Sequence, residues 1–126
     1  MKVLIVDDQE INRILPKTHL ERLGIPVEEA DDGPAALLKL AHGGFDVVLL
    51  DISMPGLSGL DVCRQVRADP ALKGLKLIAY TAHAFPQATD EIMSAGFDDL
   101  LVKPIRRDVL LKALGLPVPV PPPAPA

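Results

Sequence analysis

At 126 residues the chain has the length of one domain, and 48% of it is apolar, enough for a core of its own. A net charge of −4 argues against a nucleic-acid surface, which needs clustered Lys and Arg, and the single cysteine, Cys63, excludes an internal disulfide or a thiolate metal cluster. No run approaches the ~20 apolar residues that span a bilayer, and MKVLIVDD is too short and too soon acidic for a signal peptide, so a cytoplasmic protein is expected.

Short β-branched runs alternate with longer stretches of helical period. Lys2 to Val6 reads as a buried strand. Ile11, Ile14, Leu15, Leu20 and Leu23 then recur at helical spacing until Gly24. Pro16 falls inside that helix, where proline costs about 3 kcal/mol and predicts a kink. Val27 to Ala30 is a second strand, and Pro34 suits the first turn of a helix running to about Ala41. Val47 to Leu50 is a third strand, followed by a loop through Gly56 and Gly59. Leu60, Val62, Cys63 and Val66 mark a third helix that stops before Asp69-Pro70, with Cys63 expected as a small core residue. Leu75 to Tyr80 is strand four, Gln87 to Ala95 helix four, Asp99 to Val102 strand five and Arg107 to Leu114 helix five. With no Trp, one Tyr and three Phe, the core must be built mainly from Leu, Ile, Val and Ala. From Pro117 the chain becomes PVPVPPPAPA, so residues 1–115 are expected to form the domain and 116–126 a proline-rich tail of polyproline II character, either a linker or a ligand for a partner's groove.

Five strand–helix units with largely apolar strands predict an α/β fold, a parallel sheet covered by helices on both faces. Right-handed crossovers favour the flavodoxin-like order 2-1-3-4-5. Ligands of such sheets bind beyond the carboxyl ends of the strands at the switch point, here between strands one and three. Strand one ends in Asp7-Asp8 and strand three in Asp51. Three carboxylates at one edge repel each other, and a cation resolves this; an all-oxygen set with room for water and phosphate points to Mg²⁺. Thr81 after strand four and Lys103 after strand five add a hydroxyl and an ammonium suited to an incoming phosphoryl group, which one carboxylate attacks in line. Taken singly, each residue has an ordinary alternative: Asp7 or Asp8 as a helix cap, Asp51 as a turn former, Thr81 and Lys103 as solvated loop residues. Their joint fall at the ends of strands one, three, four and five is what points to a site.

The stretches KVLIVDDQEINR, DDG at 31 to 33, VVLLDISMPGLSGLDV, LIAYTAHA and AGFDDLLVKPI together resemble the receiver domain of bacterial two-component response regulators, single-domain chemotaxis regulators among them, over residues 2 to about 114. The resemblance implies Asp51 as phosphoacceptor, Asp8 as a direct Mg²⁺ ligand, Asp7 as one through water, and the Ser53 backbone carbonyl as another. It implies that Lys103 pairs with the phosphoryl group, that Thr81 hydrogen-bonds to it, and that Lys103-Pro104 is cis. The donor would be a phosphohistidine on a sensor histidine kinase or a phosphotransfer domain. The readout would use the face formed by helix four, strand five and helix five, in a monomer or a phosphorylation-dependent dimer. Leu100 departs from the pattern, since many relatives carry Tyr or Phe there as a ring that swings inward. Ser53 and His83 also differ from frequent choices and bear on the lifetime of the acyl phosphate; His83, His19 and His42 have no clustered partners that indicate a metal site.

With helix five ending near Leu114, no attached output domain is expected. The chain reads either as a stand-alone regulator, favoured by Met1 and the short tail, or as a receiver detached from a hybrid kinase, favoured by EINR and TAHA. A rival class is an aspartyl-nucleophile phosphohydrolase. Such enzymes commonly need an acid two residues after the nucleophile, where this chain has Ser53.

Overall fold

A computed structural model describes residues 1–82 and 86–116, the side chains of residues 86–88 excepted. His83 and the proline stretch from Pro117 lie outside the described residues. The elements in chain order are β1 (Val3–Val6), α1 (Glu10–Arg22), β2 (Val27–Ala30), α2 (Gly33–Ala41), β3 (Val47–Asp51), α3 (Gly59–Ala68), β4 (Lys76–Thr81), α4 (Pro86–Ala95), β5 (Asp99–Val102) and α5 (Arg107–Ala113), with a 3₁₀ turn at Pro70–Leu72. The strands form one parallel sheet of order β2-β1-β3-β4-β5, the order expected from four right-handed crossovers. Asp51 and Thr81 are the last residues of β3 and β4 rather than the first of the loops beyond.

Alternation along the strands divides the core in two. Leu4, Val6, Val48, Leu50, Leu77 and Ala79 face Leu40 of α2, Val62 and Val66 of α3 and Ile92 of α4. Val3, Ile5, Val47, Leu49, Ile78, Tyr80 and Leu101 face Leu20 of α1 and Leu110 and Ala113 of α5. Cys63 is fully buried in the first cluster; its thiol donates to the Ala95 carbonyl at 3.4 Å, and burial pushes its pKa up, as expected of a core residue.

Helix α1 packs differently from its apolar pattern. Only Pro16 and Leu20 are buried, while Ile11, Ile14, Leu15 and Leu23 are exposed. The inward stripe is Arg13, Pro16, Lys17 and Leu20, at helical spacing. Pro16 and Leu20 enter the core, and Arg13 and Lys17 beside them pair with Glu29 of β2, Arg13 Nε donating to it at 3.1 Å and Lys17 Nζ at 3.0 Å. The helix continues unbroken through Pro16, whose missing N–H leaves the Asn12 carbonyl without its helical donor.

Local chemistry closes the other elements. Asp32, in the DDG stretch, caps α2 by accepting from the Ala35 N–H at 2.7 Å. Ser58 and Asp61 form a reciprocal capping box at the start of α3. Arg67, at the end of α3, ties three segments together: Nε donates to the Gly96 carbonyl at 2.8 Å, Nη1 to the Leu75 carbonyl at 2.7 Å, and Nη2 to Asp98 at 2.7 Å. Arg67→Ala strands two carbonyls and leaves Asp98 without its counter-charge, still accepting from the Leu77 N–H at 2.9 Å. It is expected to cost about 2–3 kcal/mol, read in urea as a lower midpoint at unchanged slope.

Candidate functional site

The carboxyl ends of β1 and β3 meet at the switch point of the sheet, and the residues there are set by strand parity. Asp7 continues the alternation of Val3 and Ile5, and Asp51 that of Val47 and Leu49, so both carboxylates lean toward the α1/α5 layer. Asp7 is fully buried and Asp51 only 4% exposed, whereas Asp8 is open to solvent. Carboxylate oxygens of the three lie within 4.8 Å of one another.

Lys103, just past β5, reaches into this cluster. Its Nζ is 2.6 Å from Asp7 Oδ2 and 3.4 Å from Asp51 Oδ1, with the side chain 14% exposed. The Lys103 N–H donates to the Thr81 carbonyl at 2.7 Å, so the ends of β4 and β5 are stitched together where the two side chains emerge. The Lys103-Pro104 peptide bond is cis.

Asp7 and Asp51 also make ordinary turns. Asp7 Oδ1 accepts from the Gln9 N–H at 3.0 Å, and Asp51 Oδ1 from the Ser53 N–H at 3.1 Å. The two readings of Asp51 are therefore compatible: the turn holds one oxygen still and leaves the other for chemistry. Neither Asp7 nor Asp8 caps α1, whose N-cap is Gln9. Burial holds the Asp51 carboxyl above its ordinary pKa; the Ser53 N–H opposes this, the Asp7 charge adds to it, and Lys103 pulls it back.

Three carboxylates against one ammonium leave excess negative charge at the strand ends. An all-oxygen donor set with one solvent-facing member suits a hard divalent cation that keeps some of its waters. Beside the acids lies a cleft of about 560 Å³ whose lining includes Asp8, Asp51, Ser53, Tyr80 and Lys103.

All the sequence-predicted acids, Ser53 and Lys103 thus converge. Thr81 is buried at the end of the neighbouring strand β4. His19 sits on α1 and His42 follows α2, where its Nδ1 pairs with the Leu38 carbonyl at 2.8 Å, outside the residues that line the cleft. Leu100 is half-buried against the α2/α3/α4 side of the core.

Sequence reasoning missed three neighbours of the acids. Arg13 Nη1 donates to the Asp7 backbone carbonyl at 2.7 Å, tying the β1–α1 loop to Glu29. Gly59, at the start of α3, runs against the Asp51 backbone. Tyr80 lies beneath Lys103, with Nζ 4.9 Å from the ring centroid. Parity along LIAYT was the available signal for Tyr80, since it puts the ring on the same face as the two buried acids.

Comparison with known proteins agrees with this geometry. The chain matches the family model described as the response regulator receiver domain over residues 3–115. It is 43% identical to the chemotaxis protein CheY of Pseudomonas aeruginosa over 111 residues, covering 87% of this chain and 90% of that one. Among solved structures it is similar to Vibrio cholerae CheY4, with TM-score 0.84 and 34% identity over 90% of this chain and 95% of that one. It also resembles the receiver domain of a Pseudomonas aeruginosa sensor histidine kinase, solved with a magnesium ion coordinated in its active-site cleft, with TM-score 0.80 and 29% identity over 90% of this chain and 97% of that one. Sheet order, strand-end acids and these likenesses lead to one conclusion: the chain belongs to the response regulator receiver domain family of two-component signalling systems.

Proposed function

We propose that Asp51 is the phosphoacceptor of this receiver and that loading it switches the α4–β5–α5 face. The observation that carries this reading is Lys103 held between Asp7 and Asp51 at the floor of an open cleft. One Asp51 oxygen is occupied by the Ser53 N–H, which orients the carboxylate for attack by the other. That oxygen attacks phosphorus as the phosphorus–nitrogen bond to a donor imidazole breaks; the bonding pair leaves with the imidazole, and an acyl phosphate forms on Asp51. Lys103, already beside Asp51, neutralises charge on the transferred group. Asp7, Asp8, Asp51 and the Ser53 carbonyl are the residues that would hold Mg²⁺. Bound there, Mg²⁺ supplies charge neutralisation for the phosphoryl oxygens. Thr81, buried at the end of β4, would hydrogen-bond to the phosphoryl group and carry the change toward α4.

The same groups let the domain assist its own loading and slow unloading without being an enzyme of steady turnover. A sensor histidine kinase or phosphotransfer domain would be the donor, as the kinase-derived neighbour suggests. On the readout face Met93, Val102 and Val109 are exposed apolar side chains suited to a partner or a second copy. Among the described residues no helix is long and apolar enough to cross a membrane.

Incubation with a small phosphodonor and Mg²⁺, followed by intact-mass measurement, tests the reading. One phosphoryl adduct is expected, lost when divalent metal is chelated and lost in Asp51→Asn. An adduct that survives the Asp51 change would overturn the assignment.

A further inference from the structure

Lys103 has a third neighbour besides its two carboxylates. The Tyr80 ring lies 4.9 Å from its Nζ, so the ammonium sits among Asp7, Asp51 and an aromatic face. A lysine ammonium is a point charge on a flexible four-carbon stem and does not choose one geometry by itself. Tyr80, by contrast, is a fixed object. It is 2% exposed, sits on the interior strand β4 opposite Asp51 in the sheet register, and packs in the core cluster that contains Leu101, Ile105 and Leu110. Its core cluster includes Ile105, two residues beyond Lys103, so the ring packs with the segment that carries the lysine. Tyr80 also lines the cleft, on the α1/α5 side.

We infer that Tyr80 is a positioning residue for phosphotransfer, its ring face holding the Lys103 ammonium over Asp51. This rests on the assignment of Asp51 as acceptor and goes beyond it. The ring attracts the cation through its quadrupole and blocks the side of the cleft into which the lysine would otherwise swing. Among the described residues, an aromatic ring at this site stands on β4 and faces α1 and α5, while position 100, on the opposite face of the sheet, is Leu.

Two measurements test it. Phosphorylation by a small phosphodonor with Mg²⁺, followed by intact mass well below the melting temperature, is expected to be about tenfold slower in Tyr80→Leu, which stays apolar but removes the aromatic face. Tyr80→Phe, which keeps the face, is expected to recover most of that loss. Equal rates in Tyr80→Leu and the unaltered protein overturn the inference, as does a loss in Tyr80→Phe as large as that in Tyr80→Leu. The second measurement needs no phosphorylation. Tyr80 is the only tyrosine and the chain has no tryptophan, so the near-ultraviolet tyrosine spectrum reports this ring almost alone. Lys103→Met is expected to change that spectrum, and an unchanged spectrum overturns the contact. Absence of any adduct on the unaltered protein would instead overturn the assignment of Asp51 and leave the spectral test standing.

Discussion

Asp51→Asn is expected to abolish the phosphoryl adduct and, without divalent metal, to make the fold more stable. The carboxyl is 4% exposed, and burial is the main reason its pKa is raised, with the Asp7 charge acting in the same direction. Against this stand the Ser53 N–H and the Lys103 ammonium. An asparagine carbonyl still accepts from Ser53, and Lys103 keeps Asp7 at 2.6 Å, so the substitution removes the desolvated charge and leaves both partners engaged. The gain is expected at about 1 kcal/mol, roughly 4 °C in the thermal midpoint of a domain this size. Its pH dependence has a definite sign. A carboxyl whose pKa is raised on folding binds its proton more tightly in the native state. The unaltered protein therefore loses stability as pH rises from the unfolded-state value through the folded one. Asn does not titrate, so the gap between the two proteins should be small in acid and open toward neutral pH. Melts at several pH values in a chelator-treated buffer check this; a gap that closes as pH rises would contradict it. Addition of Mg²⁺ should narrow the gap by stabilising the unaltered protein more, since ligand binding to the native state adds to its stability.

Gly59→Ala is expected to be the most damaging small substitution near the site. A Cβ at this position would lie 2.1 Å from the Asp51 carbonyl oxygen and 2.8 Å from Ile52 Cα. These are backbone atoms, so relief requires moving the chain that carries the acceptor rather than turning a side chain. The Gly59 N–H donates to the Ile52 carbonyl at 3.2 Å, which holds α3 close against the end of β3. A loss of about 2–4 kcal/mol is expected, with phosphorylation of the folded fraction at least tenfold slower as Asp51 is displaced. Denaturant melts and adduct formation separate the two effects. At Gly33 an added Cβ would lie 2.9 Å from both Cβ and Cδ2 of Leu57; the Leu57 Cβ moves only with its backbone, so Ala there should also cost stability, though less than at Gly59, where the approach to backbone is 2.1 Å.

Much of this protein was determined by its sequence alone. Short apolar runs alternating with helical periods allow few arrangements, and those few deliver Asp7, Asp8, Asp51, Thr81 and Lys103 to one end of one sheet. The reason is that strand ends in a parallel sheet lie at one edge whatever the details of packing. The rotation of α1 was not legible: its apolar spacing pointed to a face with Ile11, Ile14 and Leu15, yet the helix buries Pro16 and Leu20, with Arg13 and Lys17 paired to Glu29 on another strand. Glycine likewise reads as a loop residue in sequence, and only the approach of Gly59 to the Asp51 carbonyl makes it part of the site. Tyr80 read only as the end of strand four, and its place under the Lys103 ammonium exists only once β4 and β5 pair. Which strand ends would meet follows from periodicity and connection rules, both local. Which side chain touches Lys103, and which backbone tolerates no Cβ, depend on distances between segments far apart in the chain, and tertiary packing alone sets those.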